Sequence, residues 1–342
     1  MTGTDSPVAR YDLVIFDLDG VVFLGHEPID GAVEAINDLV DGGTTVAYAT
    51  NNASRRASEV ADLLISLGIR ASADEVITSA QASASVLASR LNADDRVLIV
   101  GGPALRQEVT DVGLKPVASA DDKPRAVVQG YAPDVGWKQL AEAAIAVRGG
   151  AIWVATNGDR TLPSPRGELP GNGSLVAALA TALDRQPDLV VGKPAPTLFG
   201  TAAQKAGAKR PLVVGDRLDT DIAGAVQAKM DSMLVLTGVA TAHDLLTAPT
   251  SARPTWVAAD LRGLRDGAVA VPDADSGGAA AIGGWTVRRA EAGLELDGAG
   301  TAVAALAALA AACWALDAGA ETPPITAASA DAATILRDLD LN

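Results

Sequence analysis

The sequence predicts an α/β fold built on parallel sheet, and three observations predict it. Short apolar runs alternate with segments of helical period from residue 12 onward. The early helical segments close on glycine, a usual helix stop. Two of the apolar runs end abruptly in aspartate, at Asp17 and Asp216, and open α/β sheets bind ligands beyond the carboxyl ends of their strands.

Taken in order, "DLVIF" (12–16) is a buried strand, "GAVEAINDLVDGG" (31–43) an amphipathic helix, "TTVAYAT" (44–50) the next strand and "SRRASEVADLLISLG" (54–68) the next helix. A second alternating series follows: "VLIVGG" (97–102), "RAVVQGY" (125–131) and "AIWVAT" (151–156) are strands, with helices near 136–148 and 173–184. The pattern returns with "PLVVGD" (211–216), a helix over 219–229, "SMLVLT" (232–237) and "TWVAAD" (255–260). This alternation fits one open α/β domain interrupted by another, and equally two α/β domains in succession. Residues 272–284, "PDADSGGAAAIGG", have the composition of a flexible linker. After it, "WTVRRAEAGLELDG" predicts a small hairpin, followed by two helical stretches. A tail this short needs something to dock on.

The 342 residues leave room for about two domains. The formal net charge of −15 disfavours nonspecific attraction to nucleic acid or to an anionic membrane. One cysteine, Cys313, excludes an intrachain disulfide and a cysteine-based zinc site, and two histidines exclude a histidine-rich one. Any metal is therefore expected on carboxylate oxygens, which suit a hard cation such as Mg²⁺. The polar N-terminus lacks the layout of a secretory signal, and the alanine-rich run near 301–316 is too short to span a bilayer. The expectation is a cytoplasmic protein with no membrane span and no nucleic-acid partner; homo-oligomerisation stays open.

Four strand ends carry chemistry. In "DLDG", Asp17 ends the strand and Asp19 lies just beyond it, while Gly20 permits an unusual turn and close approach. Two crowded carboxylates repel, and a divalent cation or a shared proton relieves that. In "ATNN" (49–52), Thr50 and Asn51 can donate to a phosphate; alone, the stretch reads as a helix cap using Asn52 and Ser54. In "VVGKP", Lys193 can neutralise a phosphate or hold a carboxylate; alone, it reads as a solvated lysine. In "GDRLDTDI", Asp216 repeats the placement of Asp17, and Asp219 and Asp221 fall near a helix start, where negative charge is favoured.

In that order, DLDGV, ATNN, GKP and GDRLDTDI resemble the motifs of the haloacid dehalogenase-like phosphatase superfamily, across most of the chain ahead of residue 272. The resemblance implies a Rossmann-like, doubly wound parallel-sheet core (1–82 and 186–271), an inserted α/β cap (83–185), the linker (272–284) and a small C-terminal extension (285–342). It implies that Asp17 attacks phosphorus and becomes an aspartyl phosphate, and that Asp19 protonates the leaving oxygen and then activates water. Thr50, Asn51 and Lys193 would bind the phosphoryl group. Asp17, Asp19 and Asp216 would hold Mg²⁺, with Asp221 a supporting carboxylate.

The insertion resembles the cap of the nitrophenylphosphatase-like subgroup, most strongly over 154–179, where Asn157, Asp159, Arg160 and Pro163 introduce a stiff loop. The subgroup acts on small phosphate esters, among them phosphoglycolate, pyridoxal phosphate and glycerol 3-phosphate. The extension looks like an incomplete acetyltransferase-type fold and is similar to that of actinobacterial members acting on glycerol 3-phosphate, which is the leading substrate implied. A mutase, a dehalogenase and a non-catalytic phosphate-binding or scaffold protein remain as alternatives. His26 is a candidate for the site entrance, and His243 carries no role.

Overall fold

Leu13–Phe16 is apolar at every position and buried at every position, as a strand covered on both faces must be. The computed structural model describes residues 6–162, 167, 169–272, 279–291, 293–316 and 322–341. Pro163 and the middle of the expected linker, 273–278, lie outside the described residues. The chain divides into two compact units, Met1–Val46 with Ala208–Asn342, and Ala47–Gly207.

In the first unit, strands lie in the order Val269–Ala270, Trp256–Ala258, Asp231–Val235, Pro211–Gly215, Leu13–Phe16. The last four run parallel, and Val269–Ala270 is an antiparallel edge. Register pairs Leu13 with Pro211 and Phe16 with Val214. The amide of Asp17 extends that ladder by one bond, to the carbonyl of Val214 (2.8 Å). The two strands therefore end within one residue of each other, with Asp17 level with Gly215, and Asp17 and Asp216 leave the sheet at the same end.

The C-terminal extension forms a four-stranded sheet in the order Ala280–Ile282, Trp285–Ala290, Gly293–Gly298, Ile325–Ala327. The predicted hairpin is its centre. Its first strand reaches back into the segment with linker composition. Gly283 and Gly284 both take positive φ (55° and 88°) and close a two-residue turn between Ile282 and Trp285. The helix Ala302–Ala315 is buried nearly all round, because alanine lets neighbouring backbones approach from every side. Leu306 and Leu309 join one apolar core with Leu234 and Val257 of the parallel sheet, and the indole of Trp314 donates to the carbonyl of Leu245 (3.0 Å). Each fully buried leucine contributes about 1.5–3 kcal/mol, so the tail docks on the core sheet. Among the described residues no helix is long and apolar enough to cross a membrane.

The strand Thr45–Thr50 carries the chain into the second unit and pairs in parallel with Val76–Thr78. The second unit also holds a five-stranded sheet in the order Leu189–Val190, Ile152–Ala155, Ala126–Gln129, Arg96–Val100, Lys115–Val117, parallel throughout. Four of the five strands fall inside 83–185, and the fifth follows four residues later. Helices Trp137–Arg148 and Asn172–Leu183 cover it, over a core centred on the fully buried Trp153.

Candidate active site

Three carboxylates of the first unit come together. Oxygens of Asp17, Asp216 and Asp221 lie within 4.8 Å of one another. Asp17 is 8% exposed, and Asp216 and Asp221 are fully buried. At that spacing, two unit charges repel by roughly 3.5 kcal/mol at an effective dielectric constant near 20. Three ionised carboxylates so placed need a counter-charge.

Local backbone fixes each one. Asp216 follows Pro211–Gly215, and its Oδ2 accepts from the amide of Val239 (2.7 Å). Asp221 sits in the wide helical turn Leu218–Ile222 and accepts from the amide of Arg217 (3.2 Å). Arg217 in turn pairs with Asp219 (2.9 Å), an exposed surface bridge rather than part of the group. The loop after Asp17 is tight: the carbonyl of Leu18 accepts from the amides of Val21, Val22 and Phe23. Asp19 is exposed, and its carboxylate is not among the grouped three.

Three glycines form a cradle around these carboxylates. A Cβ on Gly20 would stand 2.4 Å from Asp216 Oδ2, one on Gly238 would stand 1.9 Å from the same atom, and one on Gly215 would stand 2.2 Å from the Cβ of Asp221. Gly20 also takes φ +86°, which glycine adopts without strain. Thr237 donates from its hydroxyl to the carbonyl of Gly20 (2.6 Å) and ties the loop down. The sequence reading missed Thr237, Gly238 and the Val239 amide; the available signal was "TG" just after another strand end. The donor set is all oxygen, which fits Mg²⁺ or Ca²⁺ and not a soft metal.

The second unit assembles the other expected residues. Lys193 is 2% exposed, so it is not the solvated lysine that "VVGKP" alone suggests. Asn51 grips its backbone from both sides: Oδ1 accepts from the amide of Lys193 (2.8 Å), and Nδ2 donates to its carbonyl (3.1 Å). Nδ2 also donates to the carboxylate of Asp159 (3.0 and 3.1 Å). The side-chain amide of Asn51 is thus committed to positioning Lys193.

The carbonyl of Asn51 accepts from Ser79 (2.6 Å) and from Asn157 (2.7 Å). A Cβ on Gly192 would lie 2.6 Å from Asn51 Oδ1, so that position also requires a glycine. Thr50 is 4% exposed; its hydroxyl oxygen accepts from the amide of Asn52 (3.1 Å), which leaves its proton to donate. Asn52 caps the turn at Ser54 (2.8 Å), whereas the helix Ala57–Ser66 starts later, with Glu59 accepting from the amide of Arg56 (2.7 Å). His26 is exposed, and His243 meets Thr322 (3.0 Å).

A family model described as haloacid dehalogenase-like hydrolase matches residues 14–115, and a second, HAD-hydrolase-like, matches 190–264. The chain is 51% identical to the D-glycerol 3-phosphate phosphatase of Mycobacterium tuberculosis over 255 residues, covering 75% of this chain and 71% of that protein. It is 36% identical to an acid sugar phosphatase of Staphylococcus saprophyticus, covering 74% of this chain and 96% of that one. Its fold superimposes on the crystal structure of the glycerol phosphate phosphatase of Mycobacterium tuberculosis in complex with magnesium. The TM-score is 0.90 at 42% identity, and 98% of this chain and 99% of that chain are covered.

Proposed function

The chain belongs to the haloacid dehalogenase-like hydrolases and is a phosphomonoester hydrolase, and on that premise we propose that it hydrolyses glycerol 3-phosphate to glycerol and phosphate with Mg²⁺. The observation that carries the chemistry is the convergence of Asp17, Asp216 and Asp221 from two adjacent strand ends.

Asp17 attacks phosphorus, the bond to the ester oxygen breaks, and the phosphoryl group rests on the Asp17 carboxylate. Asp19, exposed beside it, gives its proton to the departing glycerol oxygen and then takes one from the water that cleaves the aspartyl phosphate. Asp17 and Asp216, with Asp221 in support, would hold Mg²⁺, which would supply the positive charge that a carboxylate needs beside a phosphate dianion. The carboxylate of Asp19 lies outside the group of three, which suits its role in proton transfer.

Phosphate binding falls to Thr50, through its hydroxyl proton, and to Lys193, whose ammonium meets oxygens that carry negative charge throughout the transfer. Asn51 and Asp159 act one step back, by fixing where Lys193 sits. The glycerol 3-phosphate assignment rests on the relative that is 51% identical over 255 aligned residues. It rests also on the structural match over 98% of the chain, which includes the C-terminal extension. The acid sugar phosphatase match, at 74% of the chain, makes a sugar phosphate the runner-up. We place the enzyme in the cytoplasm, with a small phosphate ester as its partner.

A panel of phosphate esters tests this reading. Glycerol 3-phosphate should give the highest kcat/KM, ahead of phosphoglycolate, pyridoxal phosphate and sugar phosphates, and a chelator should stop turnover until Mg²⁺ is restored. A sugar phosphate ranking first would overturn the substrate, and full activity in chelator would overturn the metal site.

A further inference from the structure

At the other end of the same parallel strands, the first unit holds a cavity of about 640 Å³. It is bounded by the residues that open the strands: Tyr11 just before Leu13–Phe16, and Pro211, Asp231 and Trp256 at the starts of theirs. Asp17 and Asp216 stand past the far ends, roughly 15 Å away along strands of this length.

Four cations line this cavity: Arg10, Lys209, Arg210 and Lys229. None of the four makes a salt bridge among the described residues. The one carboxylate among the described lining residues, Asp231, accepts a hydrogen bond from the hydroxyl of Tyr11 (2.7 Å). That hydroxyl also accepts from the indole of Trp256 (2.9 Å). A second acid, Asp12, lies just behind the lining and accepts from the amides of Lys209 (2.9 Å) and Arg210 (2.8 Å). With 42 acidic against 27 basic residues in the chain, four cations against two engaged acids still run against the protein's average charge.

The floor is different in kind. Trp256, 7% exposed, and Val271 form an apolar base, with Met230 and Pro211 beside them. Arg10 lies over the Trp256 ring, 5.2 Å from its centroid, which holds a guanidinium plane at the mouth. Cations around the rim recognise phosphate groups; an apolar floor recognises the body that carries them. The volume far exceeds what one inorganic phosphate needs.

We propose that this cavity is a second, non-catalytic binding site for an organic polyphosphate of the nucleoside triphosphate class. The phosphate chain meets Lys209, Arg210 and Lys229, and the base and sugar meet Trp256 and Arg10. Long-range attraction to this rim is electrostatic, so binding weakens as salt rises.

Calorimetric titration of the full chain with ATP, in chelator so that no turnover occurs, tests the site. Wild-type protein binds one ATP, and the Lys209→Ala/Lys229→Ala double variant binds about tenfold more weakly. Its hydrolysis of the preferred ester stays near wild type, which shows that it is folded. Lys193→Ala leaves ATP binding in chelator unchanged. Tripolyphosphate binds at least several-fold more weakly than ATP. Absence of ATP binding, or ATP binding lost with Lys193→Ala and retained in the double variant, would overturn the site; equal binding of ATP and tripolyphosphate would overturn the organic body.

Discussion

Replacing Gly238 with alanine adds one methyl group to the protein, and the structure says where it must go. The new Cβ would stand 1.9 Å from Asp216 Oδ2, 2.5 Å from its Cγ and 2.8 Å from its Cβ. Asp216 is fully buried and held by the Val239 amide at 2.7 Å, so it has little room to yield. Ordinary contact begins near 3.4 Å, so the carboxylate must retreat by about 1.5 Å. A displacement of about 1 Å in a catalytic constellation costs on the order of 10²-fold in rate, or about 2.7 kcal/mol of barrier. Overpacking costs a further ~1–3 kcal/mol of stability.

The assay is phosphate release at varied Mg²⁺, with thermal unfolding alongside. Gly238→Ala should lose about 10²-fold in kcat/KM and need more Mg²⁺ for half-maximal rate. Gly200→Ala is the control: it lies in the helix Thr197–Ala206 with nothing within 4 Å of its Cβ, so activity should not change. A Gly238→Ala enzyme within twofold of wild type and with the same Mg²⁺ requirement would refute the claim that the cradle fixes Asp216.

Other outcomes follow from the same geometry. Asn51→Ala removes both hydrogen bonds to the Lys193 backbone, so KM for the phosphate ester should rise about tenfold with a smaller change in kcat; an unchanged KM counts against a positioning role. Asp159→Asn keeps the shape but not the charge opposite Asn51 and should weaken substrate binding less than Asn51→Ala does, which a paired kinetic comparison checks. Burial pushes the Cys313 thiol up from its ordinary value of 9.0 to about 12. The folded state then holds that proton where the unfolded state has lost it, so this stabilisation is whole below pH 9 and falls away as pH climbs toward 12. Thiol reagents at pH 8 should label the denatured chain and spare the native one; rapid native labelling would contradict the burial.

Much of this architecture was legible in the sequence because burial writes itself locally. "DLVIF" and "PLVVGD" are apolar where a two-sided strand must be; the first runs into Asp17 and the second ends on Asp216, both at the carboxyl ends of their strands. The alanine-rich run around Cys313, too short to span a bilayer, is one of the two expected helical stretches and packs into the core. Less legible was everything decided by contacts distant in sequence. Asn51 looks like a phosphate donor until Lys193, 142 positions later, is seen to occupy its amide. Gly238 is one glycine among 34 until Asp216 is found against it. The strand at Ala280–Ile282 hid in small residues whose composition is that of a linker, and only its two-glycine turn against Trp285 reveals it.

The central claim is that Asp17 carries the phosphoryl group during turnover. Rapid acid quench of the enzyme turning over glycerol 3-phosphate with Mg²⁺, followed by peptide mass mapping, reads this directly. A phosphoryl adduct on Asp17 within residues 11–25, absent from the Asp17→Asn variant, is the predicted result. An adduct on any other residue, or an Asp17→Asn enzyme that still turns over near the wild-type rate, would contradict it.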